Sequence, residues 1–343
     1  MRRKLAIYGA GVTGHSLYRI LSAREEGPIA VFDSNPSLWG RKFEGDLRVS
    51  SPNDLARFDG DIVVACAGGM NLRETLLKFG TLRIDYSLNW EYQWRQIILP
   101  LLDPDFATFL KRLERSLSDD KSREILEFLL SNPNPDSATI EKLEVSRDYF
   151  SALSEWDTSS SDVLVLGAHT GEEILALAKQ NLRPMSLTLV EPDQEAQIRL
   201  TELVESMKFE GITEIVSAVI GGKPGIGTLT GDGPSRRVQR VGEAPSAGHG
   251  SVFRTIDSFG LCSTGRKGVI TMDIEGYEVE ALGGAIETIN SGNVAWAVSA
   301  YHKPRDLFHI LEAFDKGSTS YDFQLRMLDF GLVDLTLLAT PKD

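Results

Sequence analysis

Cysteine is nearly missing from this sequence: Cys66 and Cys262 are the two among 343 residues, far apart and in no metal-ligand spacing. Two such residues cannot build a disulfide framework, and the usage fits a reducing, cytoplasmic setting. Long apolar runs are missing too. The longest candidate, residues 97–102, is interrupted by Pro100 and falls far short of the ~18 residues of a membrane span. Positive charge is scarce, with Lys plus Arg at 36 against Asp plus Glu at 49 and a net charge of -13. A chain without a basic footprint is not built to track DNA or RNA. The apolar residues after Arg2, Arg3 and Lys4 run straight into a Gly-rich turn. They are too few for a secretory leader and read as a first strand.

What is present is one pattern written twice. Lys4–Tyr8 reads as a buried strand, followed by Gly9-Ala10-Gly11-Val12-Thr13-Gly14 and a helix with Leu17, Ile20 and Leu21 on one face. A second strand, Ile29–Phe32, ends in Asp33, and Ile62–Ala65 reads as a third. Alternating strand and helix predicts an open, mostly parallel sheet. Residues 89–160 read differently. Asp103 and Pro104 open a helix carrying Phe106, Phe109, Leu110, Leu113 and Leu117, and a second helix covers Lys121–Leu130. The pattern then returns. Strands are expected at Asp162–Leu166, Ser186–Val190, Glu214–Ile220, Gly268–Met272 and Asn293–Ser299. Tyr321–Met327 and Leu332–Leu338 form a terminal antiparallel pair around Asp329-Phe330-Gly331. Between strands three and four, Gly221–Gly250 is too rich in Gly and Pro for a helix and reads as loop or irregular β structure.

The G-x-G-x-x-G of the first copy has a physical logic. Gly9 permits the tight turn, Gly11 lets a phosphate approach the backbone, and Gly14 lets helix and strand pack closely. Asp33, nineteen residues past Gly14, suits ribose hydroxyls. The same turn also serves pure packing or a docking domain. The second copy reads Gly167-Ala168-His169-Thr170-Gly171, with Glu191 twenty residues beyond Gly171. Glu172 and Glu173 at the helix start disfavour pyrophosphate and tolerate a zwitterionic ligand such as S-adenosylmethionine.

Two further strings carry charge to strand ends. Asp273-Ile274-Glu275-Gly276-Tyr277-Glu278 follows strand four, over the crevice where open α/β sheets bind ligands. Val279, Leu282, Ile286 and Ile289 then mark a helix. Glu275 and Glu278 have a plain reading as first-turn carboxylates. Ser299-Ala300-Tyr301-His302-Lys303-Pro304-Arg305-Asp306 follows strand five. His302 is a candidate general base, or a capping residue paired with Asp306.

Together these residues resemble the FkbM-type methyltransferase family. The Gly167–Gly171 turn, Glu191-Pro192, Thr255-Ile256-Asp257, the Asp273–Glu278 string, Ala281–Ala285, Ser299–Leu307, Tyr321 and Leu325-Arg326 carry the resemblance. It implies an α/β chain: a small N-terminal Rossmann-like domain (1–88, nucleotide or sugar-nucleotide-binding in type), a helical connector (89–160), and a C-terminal class I, seven-strand Rossmann-like methyltransferase domain (161–343). It implies S-adenosylmethionine-dependent O-methylation of a hydroxyl on a sugar, glycan or related small molecule. By position, Gly167, Ala168, His169, Thr170, Gly171 and Glu191 would hold the cofactor, and Ala218 and Val219 would lie near its adenine. Asp273 and His302 would be catalytic, facing the acceptor hydroxyl. Gly9, Gly11, Gly14 and Asp33 would form a second, nucleotide-type site. The family's acid two residues before the turn is here Val165, which removes a charge-assisted hydrogen bond worth ~1.5–3 kcal/mol.

No metal is expected, although Asp273, Glu275 and His302 are of the types that suit Mg or Mn. Arg236, Arg237 and Arg240 in the Gly-rich stretch are either a solvated loop or contacts for an anionic acceptor. Two rival readings stay open. One is an NAD(P)-dependent oxidoreductase run by residues 1–88, the other a non-catalytic nucleotide- or sugar-binding module with a degenerate methyltransferase fold. A homo-oligomer is compatible with the sequence.

Overall fold

The computed structural model describes residues 4–66, 72, 75–78, 83–143, 145–146, 148–207, 211–230, 237–240, 251–261, 265–328, 330, 332 and 335–342. The chain divides into two compact units. One takes Met1–Ala107, Glu124–Arg147 and Met327–Leu335, the other Thr108–Arg123, Asp148–Arg326 and Thr336–Asp343.

The first unit contains a parallel sheet of β1 (Leu5–Tyr8), β2 (Ala30–Phe32), β3 (Val49–Ser50), β4 (Asp61–Val64) and β5 (Arg83–Asp85), in the order β3-β2-β1-β4-β5. The order reverses at β1, so the Gly turn sits at the switch point where such sheets open a crevice. Ile7 pairs in register with Val31 and Val63, and Leu17 and Leu21 of the helix Val12–Ala23 pack on them. The two-residue β3, β5 and the helix Ser87–Ile97 carry too little periodicity to have been expected. That helix is held by two indoles: Trp90 Nε1 donates to Asn132 O at 2.9 Å and Trp94 Nε1 to Leu129 O at 2.6 Å.

The second unit is built on a seven-stranded sheet. Its strands are β6 (Asp162–Leu166), β7 (Ser186–Val190), β8 (Ile212–Val216), β13 (Gly268–Met272), β14 (Val294–Ser299), β15 (Tyr321–Met327) and β16 (Leu335–Pro341). Their order is β15-β16-β14-β13-β6-β7-β8, with β16 antiparallel to β14. Every residue of β6, β13 and β14 is buried, as strands covered on both faces must be. A second sheet combines β9 (Val219–Ile220), β10 (Gly225–Thr230), β11 (Arg237–Arg240) and β12 (Ser251–Arg254) in the order β11-β10-β12-β9.

Four expectations are corrected here. The strand expected over Glu214–Ile220 divides after Val216, because Val219 and Ile220 pair with Phe253 and Arg254 of the second sheet. Within the described part of Gly221–Gly250, Gly225–Thr230 and Arg237–Arg240 form regular antiparallel sheet, Gly227 facing both Arg240 and Ser251; a ladder needs backbone groups, not side chains. Arg236 and the side chains of Arg237 and Arg240 lie outside the described residues, as do Cys262, Asp329 and Gly331. The helix expected from Val279 to Ile289 is two helices, Glu278–Leu282 and Ile286–Asn290. Its interruption falls at Gly283-Gly284, where a Cβ on Gly284 would meet Gly221 O at 2.7 Å. The last strand starts at Leu335 rather than Leu332, which has a left-handed backbone (φ 66°) that a strand does not use.

Candidate functional site

The second Gly turn is shaped by its neighbours. Gly167 has φ +86°, and a Cβ there would lie 1.9 Å from Asp273 O. Only glycine lets the end of β13 close onto the turn, and this contact brings Asp273 beside it. The N–H groups of Gly167 and Ala168 donate to Val190 O. His169, with φ 34°, turns its N–H onto Glu191 Oε2 at 2.9 Å, and Asp193 N–H donates to Oε1 at 2.8 Å. Each oxygen of this buried carboxylate thus accepts one N–H and keeps acceptor capacity for a diol. Gln197 Nε2 donates to Glu191 O and to Ser217 Oγ, fixing the chain just before Ala218. Ala218 and Val219 are buried, while the side chains of His169 and Thr170 are exposed. Val165 is fully buried within β6.

Next to the turn, β13 and β14 pair in parallel with Met272 opposite Val298, so the strings after them emerge together. Asp273 Oδ2 accepts from Tyr149 Oη at 3.2 Å and Tyr301 Oη at 3.3 Å, and Tyr149 Oη also lies 2.9 Å from Ser299 Oγ. Asp273 Oδ1 lies 3.3 Å from His302 Nε2. Glu278 is fully buried; its Oε1 accepts from the N–H groups of Ile274 and Gly276 and lies 3.0 Å from His302 Nδ1. Glu275 Oε2 is 3.7 Å from His302 Nε2, and its side chain is 51% exposed. Glu275 also holds a left-handed backbone (φ 55°) unusual for a non-glycine residue.

The imidazole is therefore ringed by three carboxylates. Burial alone would lower its pKa, but Glu278, Asp273 and Glu275 outweigh burial and raise it to about 9. Burial lifts the Asp273 carboxyl, and Glu278 adds to this against the pull of His302 and the two tyrosines. Burial likewise lifts Glu275 to about 7, with Asp273 and Glu278 adding to it and His302 opposing. For Glu278 the same burial is overcome by His302 and the backbone N–H groups, and its pKa falls.

The structure thus brings Asp273 and His302 together beside Gly167–Gly171 and Glu191. It does not pair His302 with Asp306: Asp306 Oδ2 accepts Lys303 N–H at 2.6 Å, and Glu278 takes the imidazole. Glu278 also departs from its plain helix-start reading, since its carboxylate turns back onto the loop and the histidine. Tyr149 is the site residue that sequence reasoning missed, 124 positions before Asp273 and in no motif. Of the other family-pattern residues, Asp257 caps the helix Ile286–Asn290 through the N–H groups of Glu287 and Thr288, and Tyr321 Oη donates to Ile289 O. An open depression of about 360 Å³ lies between Gly221–Lys223, Phe253 and the Tyr277–Gly283 segment.

In the first unit, Gly9 has φ +111° and packs on Ala65, and a Cβ on Gly14 would meet Gly9 O at 2.0 Å. Asp33 accepts Ala10 N–H through Oδ2 and Asn35 N–H through Oδ1, both at 2.7 Å. Gly11 alone of the three has nothing within 4 Å of where a Cβ would stand.

The strand order and the placement of the Gly turn define a Rossmann-like methyltransferase fold. More particularly, it is similar to the fold of the methyltransferase FkbM from Methylobacillus flagellatus KT. That structure matches 98% of this chain and 90% of its own, at 18% identity and a TM-score of 0.59. An rRNA methylase from Streptococcus thermophilus (11% identity, 56% of this chain, 92% of its own, TM-score 0.32) and the pyocyanin biosynthetic protein PhzM (14%, 96%, 84%, 0.29) align far more loosely and carry no argument. No protein-family model and no curated protein matches the chain.

Proposed function

We propose that the chain is an S-adenosylmethionine-dependent O-methyltransferase acting on a hydroxyl of a sugar, glycan or related small molecule. The observation that carries this reading is the seat of Asp273 on Gly167. It sets a carboxylate and an imidazole beside a turn with no room for a Cβ at its first glycine. The residues present fit the cofactor. Glu191 offers acceptor capacity to a ribose diol, and the acids Glu172 and Glu173 at the helix start suit a cation better than a pyrophosphate.

S-adenosylmethionine supplies a methyl group on a sulfonium. The chain's own residues must align the acceptor oxygen and receive its proton. Asp273 and His302 face that oxygen in this reading, with Tyr149 and Tyr301 holding Asp273. Asp273 or His302 would take the acceptor's proton, while the bound cofactor would supply the methyl group and keep the carbon–sulfur electron pair. The depression beside Tyr277 offers room for the rest of the acceptor. Gly9, Gly11, Gly14 and Asp33 are read as a second, nucleotide-type site in a domain of residues 1–88. A cytoplasmic location is part of the reading; among the described residues no helix is long and apolar enough to cross a membrane.

Calorimetry with S-adenosylmethionine, S-adenosylhomocysteine, NAD and UDP-glucose tests the proposal. Heat with the first two is expected. Heat with NAD alone would replace the reading by an oxidoreductase, and heat with none by a non-catalytic module.

A further inference from the structure

The cluster at the ends of β13 and β14 is organised as a ligand set as well as a charged pair. A metal-binding histidine commonly gives one ring N–H to a carboxylate, which fixes the ring and leaves the other nitrogen to the ion. Glu278 is placed for that role. It is fully buried, its Oε1 is clamped by the N–H groups of Ile274 and Gly276, and it lies 3.0 Å from His302 Nδ1. The other nitrogen, Nε2, faces Asp273 Oδ1 at 3.3 Å and Glu275 Oε2 at 3.7 Å. Adjacent ligands on an octahedral ion with bonds of ~2.1 Å stand ~3 Å apart, close to these spacings.

A second observation points the same way. Tyr149 and Tyr301 occupy Asp273 Oδ2, while Oδ1 is buried with no hydrogen-bond partner among the described residues. That oxygen faces His302 Nε2 at 3.3 Å. Ligand atoms of Asp273, Glu278 and His302 all lie within 4.8 Å of one another. A buried carboxylate oxygen left this way is costly unless a cation meets it. Glu275, half exposed and on a left-handed backbone, leaves the set open on the solvent side.

We propose that Asp273, Glu275 and His302 bind a divalent cation of the Mg²⁺ or Mn²⁺ class, with Glu278 as the residue that positions the imidazole. One imidazole and two carboxylates suit such an ion and leave positions for water or the acceptor's hydroxyl, whose acidity the ion would raise. That role rests on the methyl-transfer reading and would make Asp273 and His302 ligands of the ion rather than the acceptors of the hydroxyl proton; the binding does not rest on it.

The test uses the full chain, stripped with EDTA and titrated with Mn²⁺ while free ion is counted by electron paramagnetic resonance. One Mn²⁺ per chain is expected, displaced by Mg²⁺ and showing nitrogen coupling from an imidazole. Glu275→Gln, at a half-exposed side chain, should weaken binding at least ~10-fold, and Asp273→Asn more. Glu278→Gln should cost ~10–100-fold and alter the nitrogen coupling, which a purely structural role would not do. No saturable Mn²⁺, or an affinity unchanged in Glu275→Gln and Asp273→Asn, overturns the proposal and leaves His302 as the cluster's own cation. Calorimetry with S-adenosylmethionine runs in parallel. Cofactor heat without Mn²⁺ sinks the cation alone, and Mn²⁺ without cofactor heat sinks the methyl-transfer reading alone.

Discussion

The two Gly turns of this chain are wired alike and furnished differently. In each, the acid after the second strand accepts one N–H from the turn and one from the residue two positions beyond itself: Asp33 from Ala10 and Asn35, Glu191 from His169 and Asp193. In each, the first glycine has positive φ and leans on a neighbouring strand end. The difference is what that strand end carries. Gly9 leans on Ala65, whereas Gly167 leans on Asp273, with Glu275, Glu278 and His302 around it. The carboxylate that ends β5 is Asp85, and Ser87 and Ser137 take it up. The strand-turn-helix scaffold makes a cradle in both; beside the second, the neighbouring strand ends bring a carboxylate and an imidazole together.

The sharpest way to break the comparison is Gly167→Ala against Gly14→Ala. Both add a Cβ about 2 Å from a carbonyl oxygen, 1.9 Å from Asp273 O and 2.0 Å from Gly9 O. Each should lose about 3 kcal/mol or more of stability in thermal or denaturant unfolding. Gly167→Ala, at φ +86°, should also abolish the heat of S-adenosylmethionine binding, and Gly14→Ala should leave it intact. Equal loss of that heat in both variants would end the separation of roles.

A smaller effect is expected at the two acids. Glu191→Gln removes a carboxylate that meets two N–H groups and, in the proposed complex, a diol. A charged hydrogen bond is worth ~1.5–3 kcal/mol, so affinity for S-adenosylmethionine should fall ~10- to 100-fold by calorimetry. Asp33→Asn should not change it.

How much of this could be read from residues alone follows from burial. Strands β6, β7 and β13 run over the expected residues because they are nearly continuous apolar runs ending at a Gly turn, an acid or a charged string. The sequence puts Asp273 and His302 together because strands four and five of such a sheet are neighbours. What stayed hidden is decided by partners remote in sequence. Val219 leaves the strand for Phe253. Gly284 breaks a helix because Gly221 approaches it. Glu278 looks like an ordinary first-turn acid until His302 is beside it, and nothing around Tyr149 announces that its hydroxyl reaches Asp273.

Arg326 offers a test confined to the second unit. Its guanidinium bonds Asp119 and Ser122. Burial would raise the Asp119 carboxyl, but Arg326 and Ser122 prevail and hold it at about 2. A folded-state pKa below the ordinary value means stability that is complete above the ordinary carboxylate range and is lost as pH falls through it toward 2. Asp119→Asn should therefore cost about 1–2 kcal/mol at pH 7, solvent screening a carboxylate that is about a third exposed, and the gap to the parent should close near pH 2–3. A gap independent of pH would assign the loss to packing.

The smallest expected effect is the most telling about the first turn. Gly9 and Gly14 are explained by contacts within the unit, since a Cβ on either would strike backbone. Gly11 is not: it is exposed, caps the helix Val12–Ala23 at φ -80°, and has open space where a side chain would go. Gly11→Ala should change stability by less than ~1 kcal/mol, the scale of an N-cap exchange. If a phosphate lies on this turn, the added methyl meets it, and heat with UDP-glucose or NAD should vanish while folding is unchanged. If neither ligand gives heat with the parent chain, Gly11 has no ligand to admit, and the first turn is a packing device that shares only its wiring with the second.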